Sequence, residues 1–284
     1  MDLIRFENFF YRYKGNEEYA LNNINLKIEK EENFILLCGE TGSGKTTLIK
    51  CMNGLIPQFY SGFYKGSVYI NEINTVETSI ANLSTEVGIV FQNPENQLIA
   101  MNVEHEIAFG LENLGIPRKE IAQKIEDSAS LTEIEHLLDK APFELSGGEQ
   151  QRVAIASILV LEPKVIILDE PTALLDPQMA RKIIHLLKEI QLERKITILI
   201  SEHRLDLLLP FADQMILMKN GSVIEHDSLE IVFNGNNFQN LNLNKPVIYT
   251  IFKKLKEENL FEGQIPTSIP EAVNSLKTYR LNNW

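Results

Sequence analysis

The feature that most constrains this chain is a glycine-rich segment at residues 39–47, GETGSGKTT, entered from the apolar run FILLC. The pattern predicts a strand, a tight loop and a helix, and glycine followed after four residues by Gly-Lys-Thr is the spacing of a phosphate-binding loop. Glycines let backbone amides close around a phosphate, and the helix N-terminus adds oriented dipoles. Lys45 would bring a mobile charge to the β and γ oxygens, and the Thr46 hydroxyl would reach Mg²⁺.

Composition and charge are those of an ordinary globular protein and argue against some function classes. The 284 residues are 44% hydrophobic and 23% charged, which suits one nucleotide-binding domain of about 200–250 residues plus a smaller unit. A net charge of −12 argues against the basic face of a nucleic-acid reader. Cys38 and Cys51 predict reduced, structural thiols in a cytosolic protein. No signal peptide is expected, because Asp2 and Arg5 interrupt any apolar start, and no membrane span is expected, because every apolar run is too short.

The residues ahead of the glycine-rich loop predict an antiparallel sheet. Residues 3–13 and 21–28 predict strands, and the alternation of INLKI at 24–28 is typical of a half-exposed sheet. The first strand ends in the aromatic run FFYRY, and an aromatic ring close to a phosphate loop could stack on a purine base. Most of these rings are expected in the core, whereas for Tyr13 both base stacking and core packing stay open.

Three further apolar runs end in polar residues suited to nucleotide chemistry. VGIVF ends at Gln92, VIIL ends at Asp169 and Glu170, and ITILI ends shortly before His203. Adjacent carboxylates after a buried strand are costly unless they bind or react; here Asp169 would hold Mg²⁺ through water and Glu170 would orient or deprotonate a water. Because the carboxyl ends of parallel strands line one crevice, all these groups should converge. The implied reaction is phosphoryl transfer from ATP to water with Mg²⁺.

A helical insertion separates the first of these three runs from the second. Apolar residues recur at helical spacing over 107–114, Pro117 interrupts them, and the pattern resumes over 121–138. The Glu-His-Glu sequence at 104–106 is expected to form a solvated first helical turn rather than a metal cluster, because adjacent helical residues do not face one site.

The segment LSGGEQQR at 145–152 predicts the start of another helix. Ser146 and Glu149 have the spacing of a capping box, in which each side chain accepts from the other residue's backbone. The two intervening glycines weaken a helix. They would be useful where the helix N-terminus must approach an anion closely.

In their order along the chain, these motifs resemble those of the ABC-type ATPases. The phosphate loop, Gln92, the segment 145–152, the Asp-Glu pair, ALLD at 173–176 and His203 occur in that family's order. The resemblance covers about residues 3–230. It implies an α/β fold, a P-loop NTPase of ABC type, whose mixed sheet core carries an antiparallel N-terminal β subdomain, a helical subdomain and a small C-terminal extension.

The resemblance also implies an ATP site shared by two subunits, in which one phosphate loop faces the other subunit's segment 145–152. Glu170 is expected to be the catalytic base, His203 the γ-phosphate switch, and Lys45 the third catalytic residue, with Asp176 at the subunit contact. The candidate ATP-binding residues are Tyr13, Gly39, Glu40, Thr41, Gly42, Ser43, Gly44, Lys45, Thr46, Thr47 and Gln92. The candidates for the partner's ATP are Ser146, Gly147, Gly148, Glu149 and Gln150, and those for Mg²⁺ are Thr46, Gln92 and Asp169.

Finer details resemble the energy-coupling factor branch, whose transporters import vitamins or transition-metal ions. They are GLIP at 54–57, FQNPENQ at 91–97, EHRL at 202–205, KP at 245–246 and IPEAV at 269–273. The branch implies a second ABC ATPase subunit (an identical copy or a paralogue), a transmembrane coupling subunit and a separate substrate-binding membrane protein. It implies no nucleic acid, and a peripheral location on the cytoplasmic side of the cell membrane.

Three alternatives stay open at this point. The first is the ATPase of a conventional ABC importer or exporter. The second is a soluble ABC ATPase in translation or DNA repair, although such proteins usually fuse two ATPase domains or carry a long coiled-coil insertion, and this sequence has one phosphate loop and a short insertion. The third is a catalytically dead regulatory subunit, which the presence of Lys45, Glu170 and His203 disfavours.

The sequence after residue 235 forms a separate extension. We expect an ATPase domain at 1–235, with its helical subdomain at about 93–160, and an extension at 236–284 that is a candidate dimerisation element. One apolar stripe at helical spacing carries this hypothesis: Val247, Ile248, Ile251, Phe252 and Leu255. The alternative is that this stripe packs on its own ATPase domain.

Overall fold

The computed structural model describes residues 2–30 and 33–282, with side chains as far as residue 277. Its strands are β1 (Asp2–Tyr13), β2 (Leu21–Glu29), β3 (Phe34–Gly39), β4 (Gly62–Ile70), β5 (Ile73–Asn74), β6 (Val87–Val90), β7 (Val165–Asp169), β8 (Thr197–Ser201), β9 (Gln214–Lys219) and β10 (Ser222–Ser228). The predicted strands at both ends of the antiparallel region and at the four apolar runs are therefore confirmed, with boundaries shifted by one or two residues.

The helices come mostly in the second half of the chain. They are α1 (Lys45–Cys51), α2 (Leu55–Gln58), α3 (Ile80–Ser84), α4 (Val103–Asn113), α5 (Arg118–Thr132), α6 (Gly147–Leu159), α7 (Pro177–Arg194), α8 (Leu205–Leu208), α9 (Leu229–Asn234), α10 (Asn236–Asn240), α11 (Val247–Glu257) and α12 (Ile269–Asn282). Single turns of 3₁₀-helix lie at Pro94–Asn96, Glu135–Leu137 and Pro142–Glu144.

The larger sheet has the strand order β10-β9-β3-β8-β7-β6. Strands β9, β3, β8, β7 and β6 run parallel, and β10 pairs antiparallel with β9. Both faces of this sheet are covered: along β3, residues 34, 36 and 38 pack into one hydrophobic cluster and residues 35 and 37 into the other. The carboxyl ends of β3, β6, β7 and β8 therefore lie at one edge, as predicted.

The smaller sheet, of order β2-β1-β4-β5, is antiparallel throughout. Strand β2 alternates buried and exposed residues over most of its length, so one face packs inward and the other meets solvent. Together with the parallel sheet and the helices between its strands, this arrangement confirms the predicted mixed α/β architecture.

The helical insertion forms around α4, α5 and α6. Residues at the predicted apolar spacing, among them Ile107, Leu111 and Ile125, are buried in the larger hydrophobic cluster. The expectation of a solvated turn at 104–106 is wrong for Glu106, which is 5% exposed. Its carboxylate accepts hydrogen bonds from the backbone N–H groups of Ile99 and Ala100, at 2.8 and 2.7 Å. Glu106 thereby holds the loop ahead of α4, a tertiary contact that helical spacing does not reveal.

The extension is attached to the ATPase domain by aromatic rings. Phe233 of α9, Phe238 of α10 and Tyr249 of α11 are buried and pack edge-on or tilted, with ring centroids 4.5–5.4 Å apart. The predicted single stripe of α11 is divided, because Phe252 is buried against this core whereas Val247 and Ile251 are 66% and 50% exposed. Ile248 and Leu255 pack partly against the same core. Part of the stripe therefore serves its own domain.

Candidate nucleotide-binding site

The glycine-rich loop joins the end of β3 to the start of α1. Gly42 and Gly44 have φ of 81° and 100°, values that favour glycine, so the backbone can turn its amides inward. A Cβ at Gly39 would lie 2.6 Å from the carbonyl oxygen of Met218, which leaves glycine as the residue that fits. The Ser43 hydroxyl is buried and has no hydrogen-bond partner in the described part of the chain. The loop therefore presents donors to a group that the chain itself does not supply.

Lys45 lies inside this loop with its charge held by backbone oxygens. Its Nζ donates to the carbonyl oxygens of Gly39 at 2.9 Å and Glu40 at 3.2 Å. Burial lowers the pKa of Lys45 from its usual value, and the nearby carboxylates of Glu170 and Asp169 oppose that shift. A triphosphate anion in the loop would act in the same direction as these carboxylates and favour the charged ammonium.

A pair of oxygen ligands lies between the start of α1 and the end of β7. The Thr46 hydroxyl donates to Asp169 Oδ2 at 2.7 Å. Asp169 is 5% exposed, and its second oxygen, Oδ1, is buried without a partner among the described residues. A hydroxyl, a carboxylate and an unsatisfied buried carboxylate oxygen form a donor set that suits Mg²⁺ and would suit a softer metal poorly.

The Glu170 side chain contacts residues that follow the two neighbouring strands. Its Oε2 accepts from Gln92 Nε2 at 2.9 Å, and its Oε1 lies 3.1 Å from His203 Nε2. Gln92 follows β6, Glu170 follows β7 and His203 follows β8, so the predicted convergence is present in the structure. Glu170 has a left-handed backbone, φ 51°, and its N–H donates to the carbonyl of Ser201 at 2.8 Å. A non-glycine residue in that region costs about 1 kcal/mol or more, which the neighbouring strand compensates.

Tyr13 lies at the end of β1, beside the glycine-rich loop. Its hydroxyl and that of Thr47 are 3.1 Å apart, and its ring packs edge-on against Tyr11 with centroids 4.9 Å apart. The ring is half-buried, so one part of it packs on the core and another part is accessible near the loop. This position agrees with both interpretations that the sequence left open.

The helix α6 begins with the predicted capping box. The Ser146 hydroxyl donates to Glu149 Oε2 at 2.6 Å, the Ser146 N–H donates to the same oxygen at 2.8 Å, and the Glu149 N–H points back to the hydroxyl at 3.4 Å. The hydrogen bonds from Ser146, that of the hydroxyl first, lower the pKa of the Glu149 carboxyl. Gln150 donates to the carbonyl of Pro142 at 3.1 Å. In the described part of the chain, no hydrogen bond or ion pair joins residues 146–150 to the glycine-rich loop.

The two glycines of α6 occupy different surroundings. A Cβ at Gly148 would lie 2.6 Å from Cγ of Met179, so helix α7 of the same chain requires glycine there. A Cβ at Gly147 would have Leu175 Cδ2 as its nearest neighbour, at 3.8 Å, which is ordinary contact. Packing against α7 therefore explains Gly148, through a contact between distant segments that the sequence pattern did not reveal. Gly147 is exposed to solvent, and packing within the chain does not require glycine there.

Asp176 caps helix α7. Its Oδ1 accepts from the backbone N–H groups of Gln178 and Met179 at 2.8 and 3.0 Å, and these bonds lower the pKa of its carboxyl. Leu174, two residues earlier, is 65% exposed. The segment is therefore a rigid, partly apolar corner at the surface.

Sequence reasoning missed three residues that bear on this site. Glu202 and Thr172 are buried and hydrogen-bonded to each other; Glu202 directly precedes His203, and Thr172 lies two residues after Glu170. Asn242 of the extension donates its N–H to Glu40 Oε1 in the glycine-rich loop at 3.0 Å. For Glu202, the only signal in the sequence is a carboxylate placed between an apolar strand and His203. The sequence gives no sign of the contact between Asn242 and Glu40, which are 202 residues apart.

The described residues contain no group of three or more histidine, cysteine, aspartate and glutamate side chains arranged to bind a metal. None of their helices combines the length and the apolar character of a membrane span.

Comparison with known proteins places these features in a family. The family model described as ABC transporter matches residues 21–173, more than half of the chain. A protein of Pyrococcus horikoshii that carries the provisional name of ABC transporter ATP-binding protein is 41% identical over 98% of this chain and 97% of its own length. A similarly named protein of Methanosarcina mazei is 45% identical over 78% of this chain, which spans only 38% of that longer relative.

Solved structures agree with the sequence relatives. CbiO1 from Clostridium perfringens, part of the ABC transporter complex CbiONQ, is 36% identical and matches 89% of this chain and 99% of its own with a TM-score of 0.73. A dimeric ATP-binding cassette in a post-hydrolysis state, bound to ADP and Pi, is 30% identical over 80% of this chain with a TM-score of 0.68. The predicted fold and enzyme class are confirmed: the chain belongs to the ABC transporter family, as an ATP-binding subunit that hydrolyses ATP.

Proposed function

We propose that this protein is the ATPase of an energy-coupling factor importer for a vitamin or a transition-metal ion. The observation that carries the proposal is the likeness to CbiO1, which is 36% identical over 89% of this chain and therefore reaches into the extension beyond residue 235. Two other cassettes are less similar in sequence: the dimeric one with ADP and Pi is 30% identical over 80% of this chain, and a nucleotide-free one is 27% identical over 89%.

The catalytic roles in this proposal follow from the contacts of Glu170. Its carboxylate, oriented by Gln92 on one oxygen and His203 on the other, acts as the base that withdraws a proton from the attacking water. Lys45 would exchange its two carbonyl acceptors for phosphate oxygens, and His203 would turn its Nε2 toward the γ-phosphate. Thr46 and Asp169 would hold Mg²⁺, with Gln92 as a further ligand, and the ion would supply positive charge to the phosphates.

The proposal of an ATP site shared by two subunits rests on the N-terminus of helix α6. The exposed N–H groups at its start could bind an anion that approaches from outside, and the Ser146 hydroxyl would exchange its bond to Glu149 for that anion. We assign that anion as the γ-phosphate of ATP bound to a second subunit, with Glu149 and Gln150 supporting the helix start. Asp176 and the exposed Leu174 then lie at the subunit contact.

The transmembrane coupling subunit is proposed to dock beside Gln92. Ile99 and Met101, in the loop between Gln92 and α4, are 69% and 89% exposed. The buried carboxylate of Glu106 fixes the loop that carries them. A partner docked on Ile99 and Met101 would therefore be separated from Gln92, beside the nucleotide, by only a few residues of this loop. The substrate would be bound by a separate membrane protein, and the ATPase would be peripheral on the cytoplasmic side of the cell membrane.

Detergent purification with matched surface variants tests this function. A tagged chain should co-purify with two different membrane proteins, a coupling subunit and a smaller substrate-binding protein. The double variant Ile99→Asp, Met101→Asp should lose both, whereas Leu192→Asp, which changes a residue 62% exposed on α7, should keep them. Co-purification with one transporter subunit type alone would favour a conventional ABC transporter, and recovery without any membrane protein would contradict the proposal.

A further inference from the structure

Glu202 is a buried carboxylate between strand β8 and His203. It is 3% exposed. Oε2 accepts from the Thr172 hydroxyl at 2.8 Å, and Oε1 accepts from the backbone N–H groups of His203 at 3.0 Å and Arg204 at 3.3 Å. In the described part of the chain, no lysine, arginine or histidine forms a salt bridge with it. Three hydrogen-bond donors, rather than a counter-ion, therefore compensate its burial.

The same contacts join two loops. Thr172 follows Glu170 after β7, and Glu202 precedes His203 after β8. The Arg204 guanidinium adds bonds in the opposite direction, since its Nη1 donates to the carbonyl oxygens of Thr172 and Leu175, both at 3.3 Å. Three hydrogen bonds thus connect residues 172–175, which lead to Asp176, with residues 202–204.

We propose that Glu202 is a positioning residue for ATP hydrolysis, which orients His203 and links it to the segment that leads to Asp176. Glu202 does not touch Glu170 and acts through the backbone of His203, whose Nε2 lies 3.1 Å from Glu170. A displacement of His203 by even about 1 Å would impair a contact that catalysis needs. The inference rests on the roles proposed for His203 and Glu170.

Substitutions at both ends of the Thr172–Glu202 bond test the assignment. Glu202→Ala should lower kcat about ten- to a hundredfold with little change in the Kd for MgATP, because the residue contacts neither phosphate nor base. Thr172→Val removes the hydroxyl at nearly constant volume and should lower kcat by a smaller factor, whereas Thr172→Ser should restore it. Ser201→Ala is the matched control, since that buried hydroxyl lies next to Glu202 and has no partner among the described residues; it should leave kcat unchanged.

A double-mutant cycle separates positioning from general structural support. In a His203→Ala background, Glu202→Ala should cost less than about twofold in kcat, because the group that it orients is already gone. An undiminished effect in that background would overturn the proposal. So would a kcat loss in Thr172→Ser equal to that in Thr172→Val.

Two further outcomes have defined meanings. If Glu202→Ala fails to fold, the cycle is run with Thr172→Val and His203→Ala, and the same criterion applies. If His203→Ala alone hydrolyses ATP at the wild-type rate, then the role proposed for His203 fails, and the positioning of that side chain by Glu202 fails with it. A normal His203→Ala defect with independent Glu202 effects contradicts only the inference about Glu202.

Discussion

At the carboxyl ends of the parallel strands, Gln92 and His203 both contact Glu170 within one chain, whereas the side chains at the N-terminus of α6 bond mainly to each other. Both regions carry groups suited to phosphate. The first is fixed by buried strands on both sides, and the second ends in the open face at Gly147. Under the proposed function, this difference would mean that one chain orients the carboxylate of Glu170 by itself, whereas a second chain would be needed to complete the site around the triphosphate.

The largest expected effect comes from blocking the exposed N-terminus of α6. Ser146→Arg places a bulky side chain where the partner's γ-phosphate would bind and should lower kcat by about a thousandfold while ATP still binds at Lys45. Measurements of ATP binding and turnover on the purified variant check this. Ser146→Ala removes the hydroxyl without adding bulk, so it should destabilise α6 by about 1 kcal/mol and lower kcat by a smaller factor than Ser146→Arg.

Complementation shows whether the two regions act in different chains. Lys45→Ala and Ser146→Arg, each inactive alone, should regain activity when mixed, because one composite site per mixed dimer keeps both an intact loop and an intact α6. Absence of recovery in dimers shown to be mixed would mean that both sites must be intact or that the site is not shared.

The second largest effect is expected at Glu170, which contacts Gln92 and His203 of its own chain. Glu170→Gln keeps a hydrogen-bonding group between Gln92 and His203 but cannot accept a proton, so kcat should fall at least about a hundredfold with MgATP binding retained. Light scattering should show this variant accumulating as an ATP-bound dimer. Wild-type turnover in a preparation free of other ATPases would exclude Glu170 as the base.

A third effect distinguishes the two glycines of α6. Gly148→Ala would push its Cβ toward Met179 and should lower Tm by about 2–4 °C. Gly147→Ala meets nothing closer than 3.8 Å within the chain, so its Tm should be unchanged while kcat falls about tenfold. Thermal melting and steady-state ATPase assays separate these outcomes, and Gly148→Ala with Met179→Ala should regain the lost Tm. Equal Tm losses in the two single variants would show that Gly147 is also a packing position.

The sequence predicted those features that depend on residues close to one another along the chain. The glycine-rich loop, the capping box of α6 and the polar residues after buried strands follow from spacing and from the parallel sheet that such strands form. Most of what it did not predict depends on segments that are distant in sequence: Met179 against Gly148, Thr172 on Glu202, and Asn242 on Glu40. Glu106 was missed for another reason, since its bonds to Ile99 and Ala100 depend on the path of an irregular loop. Polarity and period at one position carry no information about which remote side chain will pack there.

The smallest expected effect concerns the extension, which also has one part packed within the chain and another part exposed. Phe252 of α11 is buried, whereas Val247 and Ile251 on the same helix are exposed, as are Ile269, Val273 and Leu276 at helical spacing on α12. We expect these exposed residues to contact a second subunit when ATP is absent.

Deleting residues 236–284 would uncover the rings that attach the extension, so point variants test this contact more cleanly. Val247→Asp with Ile251→Asp should weaken nucleotide-free self-association about five- to tenfold and leave ATP binding unchanged, because the loss of each contact side chain costs about 1 kcal/mol or less. Leu192→Asp, equally exposed on α7, controls for surface charge. Sedimentation equilibrium without nucleotide decides the matter: a Kd equal to that of the wild type would mean that α11 serves its own domain alone, and that nucleotide is what brings the open faces of two chains together.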